Sequence, residues 1–287
     1  MVELSNLEFN LLQGYLRNIS GIDVPEEKRY LFQTRLSEFL EEENCRSFSE
    51  LYCLLTKGER GLQRRLIQAM TNHESCFFRD GHPFENLVRR LLPEAAARRN
   101  GQSQVPFPIR ILSAGCASGQ EPYSIAMCVR DWLEGQPGLR ADQVVIHAID
   151  VSQRILARAA QGRYTDQEVG KFINDRQRKR YFVRKGDHWE VCEQIRRCIG
   201  FSEMNLSEPF GYIGKFDVIF CRNVIIYFNL EQRQKIVNSF LGLLHRGGAL
   251  VLGASESLYA VSNAFTAVHD GPTMYYVPTA GEPAGSG

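Results

Sequence analysis

The feature that most constrains this chain is Ser113-Ala-Gly-Cys-Ala-Ser-Gly-Gln-Glu-Pro-Tyr-Ser124, where an apolar run meets a helix through a glycine-containing corner. Ile109 to Ala114 predicts a strand, Gly115 and Gly119 let the backbone reverse tightly, and Pro122 suits a helix's first turn. In open α/β sheets, ligands sit where the carboxyl end of a strand faces a helix N-terminus. The third glycine of a dinucleotide fingerprint is missing and no GxxxxGKS or GxxxxGKT loop occurs, which argues against a pyrophosphate or triphosphate cradle. The corner suits a ligand without phosphates.

Further apolar runs end in residues fitted to such a ligand. Val144-Val-Ile-His-Ala-Ile149 reads as a strand covered on both faces and ends in Asp150, whose carboxylate can accept both ribose hydroxyl protons. Cys198-Ile-Gly-Phe201 leads into Met204-Asn-Leu206, where Asn205 can read an adenine edge while Leu206 packs on the ring. Phe216-Asp-Val-Ile-Phe-Cys-Arg-Asn-Val-Ile-Ile-Tyr-Phe228 is another apolar strand, and it emerges in polar residues and an aromatic pair. Adenosine joined to a zwitterionic amino acid, without phosphates, is S-adenosylmethionine, the expected cofactor.

Upstream the periodicity is helical. Leu7, Leu11, Leu12, Tyr15 and Leu16 recur up to Gly21, and Pro25 opens a second helix with Tyr30, Leu31, Leu36, Phe39 and Leu40 on its apolar stripe. Ser47 caps a third helix carrying Phe48, Leu51 and Leu55, and a fourth surrounds Leu62, Leu66 and Met70. Each is short and should form only by packing on the others. Ala95 to Pro108, with paired arginines and two prolines, reads as an exposed crossing into the first strand. After Tyr181 the alternation of strand and helix breaks: Tyr181 to Arg184 and Trp189 to Arg196 read as a hairpin turning near Gly186-Asp187. Phe265 to Val277 reads as a second hairpin, at the sheet edge.

The expected fold is therefore α/β. A small all-helical N-terminal domain (1–78) and a connecting helix and linker (79–108) precede a Rossmann-like cofactor domain (109–278), with an inserted antiparallel β-subdomain (181–201) and a disordered tail (279–287). A formal charge of +1, from 34 Lys and Arg against 33 Asp and Glu, argues against a nucleic-acid binder. The eight cysteines form no CxxC pair and no zinc-ligand spacing, so they read as reduced thiols of a cytoplasmic protein without a metal. No run approaches the roughly 20 apolar residues of a membrane span.

Four separated segments carry a resemblance: Thr71-Asn-His-Glu-Ser-Cys-Phe-Phe-Arg-Asp80, Ser113 to Ser124, Phe216 to Phe228, and Gly253-Ala-Ser-Glu-Ser257. In this order they resemble the CheR family of chemotaxis receptor glutamate O-methyltransferases. The resemblance implies an S-adenosylmethionine-dependent methyltransferase domain and methyl transfer to glutamate side chains on chemoreceptor cytoplasmic helical domains. The products would be S-adenosylhomocysteine and a glutamyl methyl ester. It places His73, Ser75, Arg79, Gly115, Glu121, Asp150, Asn205, Leu206, Arg222 and Asn223 at the cofactor, with Arg79 and Tyr227 orienting the substrate carboxylate. His73 and Ser75 depart from the asparagine and threonine common in the family.

A glutamate is already ionised at neutral pH, so the reaction asks for positioning rather than a general base. The hairpin loop at Lys185 to His188 is shorter than in members that capture a receptor's C-terminal pentapeptide, which implies the pentapeptide-independent type. Arg29, Arg35, Arg60, Arg64 and Arg65 form either a solvated face or a dock for an acidic receptor helix. The chain is expected to act as a monomer, without nucleic-acid partners or membrane insertion. Two other readings share the fold: a non-catalytic cofactor-binding signalling module, and a methyltransferase of another substrate.

Overall fold

The computed structural model describes residues 3–71, 75–101 and 108–279. His73 and the expected tail beyond Thr279 lie outside the described residues. The strands are β1 (Ile109–Ala114), β2 (Val144–Asp150), β3 (Arg163–Tyr164), β4 (Phe182–Lys185), β5 (His188–Val191), β6 (Ile199–Glu203), β7 (Phe216–Cys221), β8 (Leu244–Leu252), β9 (Phe265–Asp270) and β10 (Thr273–Pro278). Seven of them form one sheet in the order β6-β2-β1-β7-β8-β10-β9. From β6 to β8 neighbouring strands are parallel, which requires cover on both faces and explains why β7 is buried along its whole length. β10 runs antiparallel to both β8 and β9 and closes the edge as the second expected hairpin. Ile111 of β1 lies beside Ile146 of β2 on one side and Val218 of β7 on the other. The strand order reverses there, leaving a crevice at the carboxyl ends.

The N-terminal helices are α1 (Asn6–Ser20), α2 (Arg29–Glu42), α3 (Phe48–Leu55) and α4 (Arg60–Met70). A capping box between Ser5 and Glu8 starts α1, and Gly21, in the left-handed conformation at φ 69°, ends it. The buried stripe of α2 is Phe32, Leu36, Phe39 and Leu40. Tyr30 and Leu31, read from the sequence as part of that stripe, face solvent instead, because Phe32 completes the i, i+4, i+7 and i+8 face. These helices share one hydrophobic cluster with Leu112, Ile149, Met204, Leu206, Ile225 and Phe228 of the sheet domain.

α5 (His82–Asn86), a π-helical turn (Leu87–Leu91) and α6 (Leu92–Gly101) form the connection to the sheet. The crossing expected to begin at Ala95 is thus helical to Gly101, with Ala95 and Ala96 buried. Its paired arginines are not both exposed: the Arg99 side chain is 2% exposed and meets Asp217, 1% exposed, at 2.5 Å. Asp217 also accepts the Arg110 N–H at 2.9 Å. α7 (Gln120–Glu134) and α8 (Gln153–Gln161) follow β1 and β2.

The appendage is a three-stranded sheet in the order β3-β5-β4. Lys185 pairs with His188, so Gly186 and Asp187 make a two-residue turn, with Gly186 at φ 60°. The expected second strand stops at Val191, and Glu193–Arg196 is helical. β3, only two residues long, gave no periodic signal.

Removing one partner of a buried ion pair strands the other charge in a medium that solvates it poorly. Asp217→Ala should therefore lower unfolding free energy by about 3–5 kcal/mol in urea titration. A loss below about 1 kcal/mol, the range of a surface pair, would contradict this reading.

Candidate active site

One pocket lies at the crevice. It is lined by Gly115 after β1, Asp150 ending β2, Met204, Asn205 and Leu206 after β6, and the loop Arg222 to Phe228 after β7. Ser75, Cys76, Arg79 and Glu121 complete that side. The opposite wall comes from the helical unit: Ser20, the last residue of α1, Ile22 beyond it, Ile67 of α4, and Thr71 just past its end.

The glycine corner is tight because two backbones meet in it. Gly115, at φ 73°, donates its N–H to the Ile149 carbonyl at 2.8 Å, and a Cβ there would stand 2.5 Å from Val224 Cγ2. Ala117, also left-handed at φ 47°, donates to Asp150 Oδ2 at 2.9 Å, and Ser152 N–H donates to Asp150 Oδ1 at 3.0 Å. These two bonds fix the carboxylate and leave each oxygen a further lone pair. Glu121 accepts from Ser113 Oγ at 2.7 Å and lies 3.4 Å from the Arg222 guanidinium. Burial pushes its carboxyl above the ordinary glutamate value, with Arg222 and Ser113 opposing.

Arg222, its side chain 2% exposed, donates to the Asp80 carboxylate at 2.6 Å and to the Arg79 carbonyl at 2.8 Å, over the Phe84 ring. These bonds tie down the strap Ser75 to Gly81, and Arg222 also lines the pocket, where the resemblance placed it among the cofactor contacts. The strap is contorted, with Phe78 at φ 48° and Asp80 at φ 67°, and Ser124 Oγ accepts the Phe78 N–H at 2.9 Å. So held, Arg79 lines the pocket, and among the described residues no ion pair engages its guanidinium.

Asn205 lines the pocket, yet its side-chain oxygen accepts the Ser207 N–H at 2.9 Å and its amide nitrogen reaches Glu208 at 3.4 Å. The turn-forming role uses its acceptor, while its amide nitrogen keeps a further hydrogen to donate. Tyr227 lines the pocket beside Ile226 and Phe228, and its carbonyl accepts the Asp23 N–H at 2.8 Å, while Ile22 bridges Phe228.

Two sets of residues escaped the sequence reading. Glu256 accepts four backbone N–H bonds, three of them from the loop after β7, although its segment was quoted only as a motif. Ser20, Ile22, Ile67 and Thr71 carry no local signal, since their partners are far along the chain.

A family model described as the CheR methyltransferase S-adenosylmethionine-binding domain matches residues 73–273, and one described as the CheR methyltransferase all-alpha domain matches residues 7–71. The chain belongs to the CheR methyltransferase family. It is 36% identical over 277 residues to a chemotaxis protein methyltransferase of Vibrio anguillarum, covering 96% of this chain and 98% of that one. Chemotaxis protein methyltransferase 1 of Pseudomonas aeruginosa is 36% identical over 273 residues, covering 95% and 98%. This CheR-family chain is thus an S-adenosylmethionine-dependent methyltransferase.

The residues present fit that cofactor. Asn223 Oδ1 is buried at the pocket with no hydrogen-bond partner among the described residues, an acceptor awaiting a donor. Asp150 keeps acceptor capacity for two hydroxyls, Glu121 offers an anion, and Leu206, Met204 and Val151 supply apolar surface for a ring.

Because the Glu121 pKa is raised in the fold, its ionisation subtracts stability as pH rises from 4.5 through the folded value, and a ligand ammonium offsets that loss. Calorimetry from about pH 5 to about pH 8 should show S-adenosylhomocysteine binding strengthen with pH, with a flatter profile in Glu121→Gln. A pH-independent affinity in the unaltered protein would remove Glu121 as the anionic partner.

Proposed function

We propose that this chain transfers the methyl group of S-adenosylmethionine to glutamate side chains on the cytoplasmic helical domains of chemoreceptors, forming methyl esters. The observation that carries this reading is Arg79: a guanidinium on the pocket wall with no ion pair among the described residues, in a site where the other charged groups are engaged. Its planar fork matches a carboxylate. Curated relatives over nearly the full chain are named chemotaxis protein methyltransferases, which supports the same substrate class.

When bound, the cofactor supplies an electrophilic methyl group on a sulfonium. The chain's own contribution is positional. Arg79 and the Tyr227 hydroxyl orient the acceptor carboxylate, which is ionised without help, and the pocket removes water from its attacking oxygen. Asp150 holds the ribose hydroxyls, Asn205 and Leu206 the adenine, Glu121 and Asn223 the amino-acid end, and Gly115 and Ser75 shape the wall.

Of the five arginines considered for receptor docking, three have internal work. Arg29 bonds Asn6 and the Leu4 carbonyl, Arg35 the Met70 carbonyl, and Arg65 the Glu43 carboxylate. The dock narrows to Arg60 and Arg64, one turn apart and exposed on α4, with Arg64 only loosely paired to Glu203 at 3.8 Å. Engagement does not need a receptor pentapeptide, since the two-residue turn at Gly186-Asp187 provides no loop to close over a peptide. No helix among the described residues is long and apolar enough to cross a membrane. We place the enzyme at the cytoplasmic face as a monomer that meets its receptor there.

Incubation with methyl-labelled S-adenosylmethionine and receptor cytoplasmic fragments should give base-labile label that is released as methanol. Arg79→Lys keeps the charge but loses the fork, and should lower turnover by roughly an order of magnitude or more at saturating substrates. Label resistant to base, or near-normal turnover in Arg79→Lys, would overturn this assignment.

A further inference from the structure

A buried carboxylate ordinarily has a cation beside it. Glu256, 3% exposed, has no ion pair among the described residues. Backbone N–H groups meet its charge instead. Oε2 accepts from Asn223 at 2.6 Å and Gly253 at 2.8 Å, and Oε1 accepts from Val224 at 2.9 Å and Ile226 at 3.3 Å. Three of these donors belong to the loop after β7, and the fourth follows β8 directly. Both oxygens are used twice, close to the capacity of an ionised carboxyl.

The knot dictates the loop's path. Asn223 is held at φ 61°, a region non-glycine residues adopt infrequently, and its Oδ1 is left buried and unpartnered at the pocket. Gly253 is required by the same packing: a Cβ there would lie 2.8 Å from Glu256 Oε2 and 2.9 Å from the Asn223 nitrogen. Four residues beyond Asn223 the same loop delivers Tyr227.

We propose that Glu256 is a positioning residue of this methyltransferase: through the backbone of residues 223–226 it aims Asn223 at the cofactor and Tyr227 at the acceptor carboxylate. The Tyr227 half rests on the substrate reading given above; the Asn223 half needs only the cofactor. An amide cannot replace the carboxylate, because its NH2 would face two N–H donors. Aspartate keeps every acceptor site on a shorter arm.

The test is a double-mutant cycle on the full chain, read by S-adenosylhomocysteine calorimetry without receptor. Glu256→Gln should weaken binding about tenfold, but less than about threefold when Asn223 is already alanine, since one residue acts through the other. Glu256→Asp, the milder variant should glutamine prevent folding, should show a smaller loss with the same coupling to Asn223. Asp217→Ala, at the other end of the sheet, should lower the melting temperature while leaving the dissociation constant unchanged. Unchanged binding in both Glu256 variants, losses that add fully with Asn223→Ala, or an equal loss in Asp217→Ala would overturn the proposal. Because receptor is absent, intact coupling alongside failed receptor methylation would sink the substrate reading alone.

Discussion

The guanidinium of Arg222 is the interaction on which the rest of the site depends. It joins three segments remote in sequence, bonding Asp80 and the Arg79 carbonyl on the strap and standing beside Glu121 at the head of α7. Its burial makes these bonds strong and makes their loss expensive, since a guanidinium only 2% exposed would be left short of its counter-charge. Immediately after it, the backbone of Asn223, Val224 and Ile226 satisfies the opposite charge of Glu256. Adjacent residues of one loop thus hold a buried cation paired with carboxylates and a buried anion paired with peptide groups. Between them they leave Arg79, Asn223 and Tyr227 presented to one pocket.

The helical unit is structurally part of this arrangement. Its core is continuous with the sheet residues at the pocket floor, the Asp23 N–H donates to the Tyr227 carbonyl, and Ile22 lies opposite Phe228 in an antiparallel bridge. Ser207 Oγ adds a bond to the Ser20 carbonyl beside Asn205 and Leu206. A surface proposed to meet the receptor and the wall of the cofactor pocket are therefore the same few helices, so whatever seats on α4 acts within a few residues of Ile67 and Thr71.

How much of this could be read in advance follows from sequence distance. The glycine corner, Asp150 at a strand end and the two-residue hairpin turn are local features, set by backbone sterics and strand periodicity, and they were legible. Arg222 as a clamp was not, because its partners lie 142 and 101 residues away. Arg98 and Arg99 resembled an exposed crossing by composition, and only the placement of Asp217 draws Arg99 inward. Asn205 was read for its amide chemistry, while its side-chain oxygen closes a local turn. Glu256 had no periodic or charge-pair signature, since its partners are peptide groups that every residue carries.

The loop after β7 unites the helical unit and the sheet around one cofactor pocket. Hydrogen–deuterium exchange on the full chain, with and without saturating S-adenosylhomocysteine, tests it directly. Slowed exchange is expected together at Cys116 and Ala117, at Asn223 to Phe228, and in the helical unit at Asp23, whose N–H donates to the Tyr227 carbonyl, and at Ile22, whose N–H donates to Ser20 Oγ on the pocket wall. Protection confined to the sheet domain, with Ile22 and Asp23 exchanging as in the free protein, would contradict it.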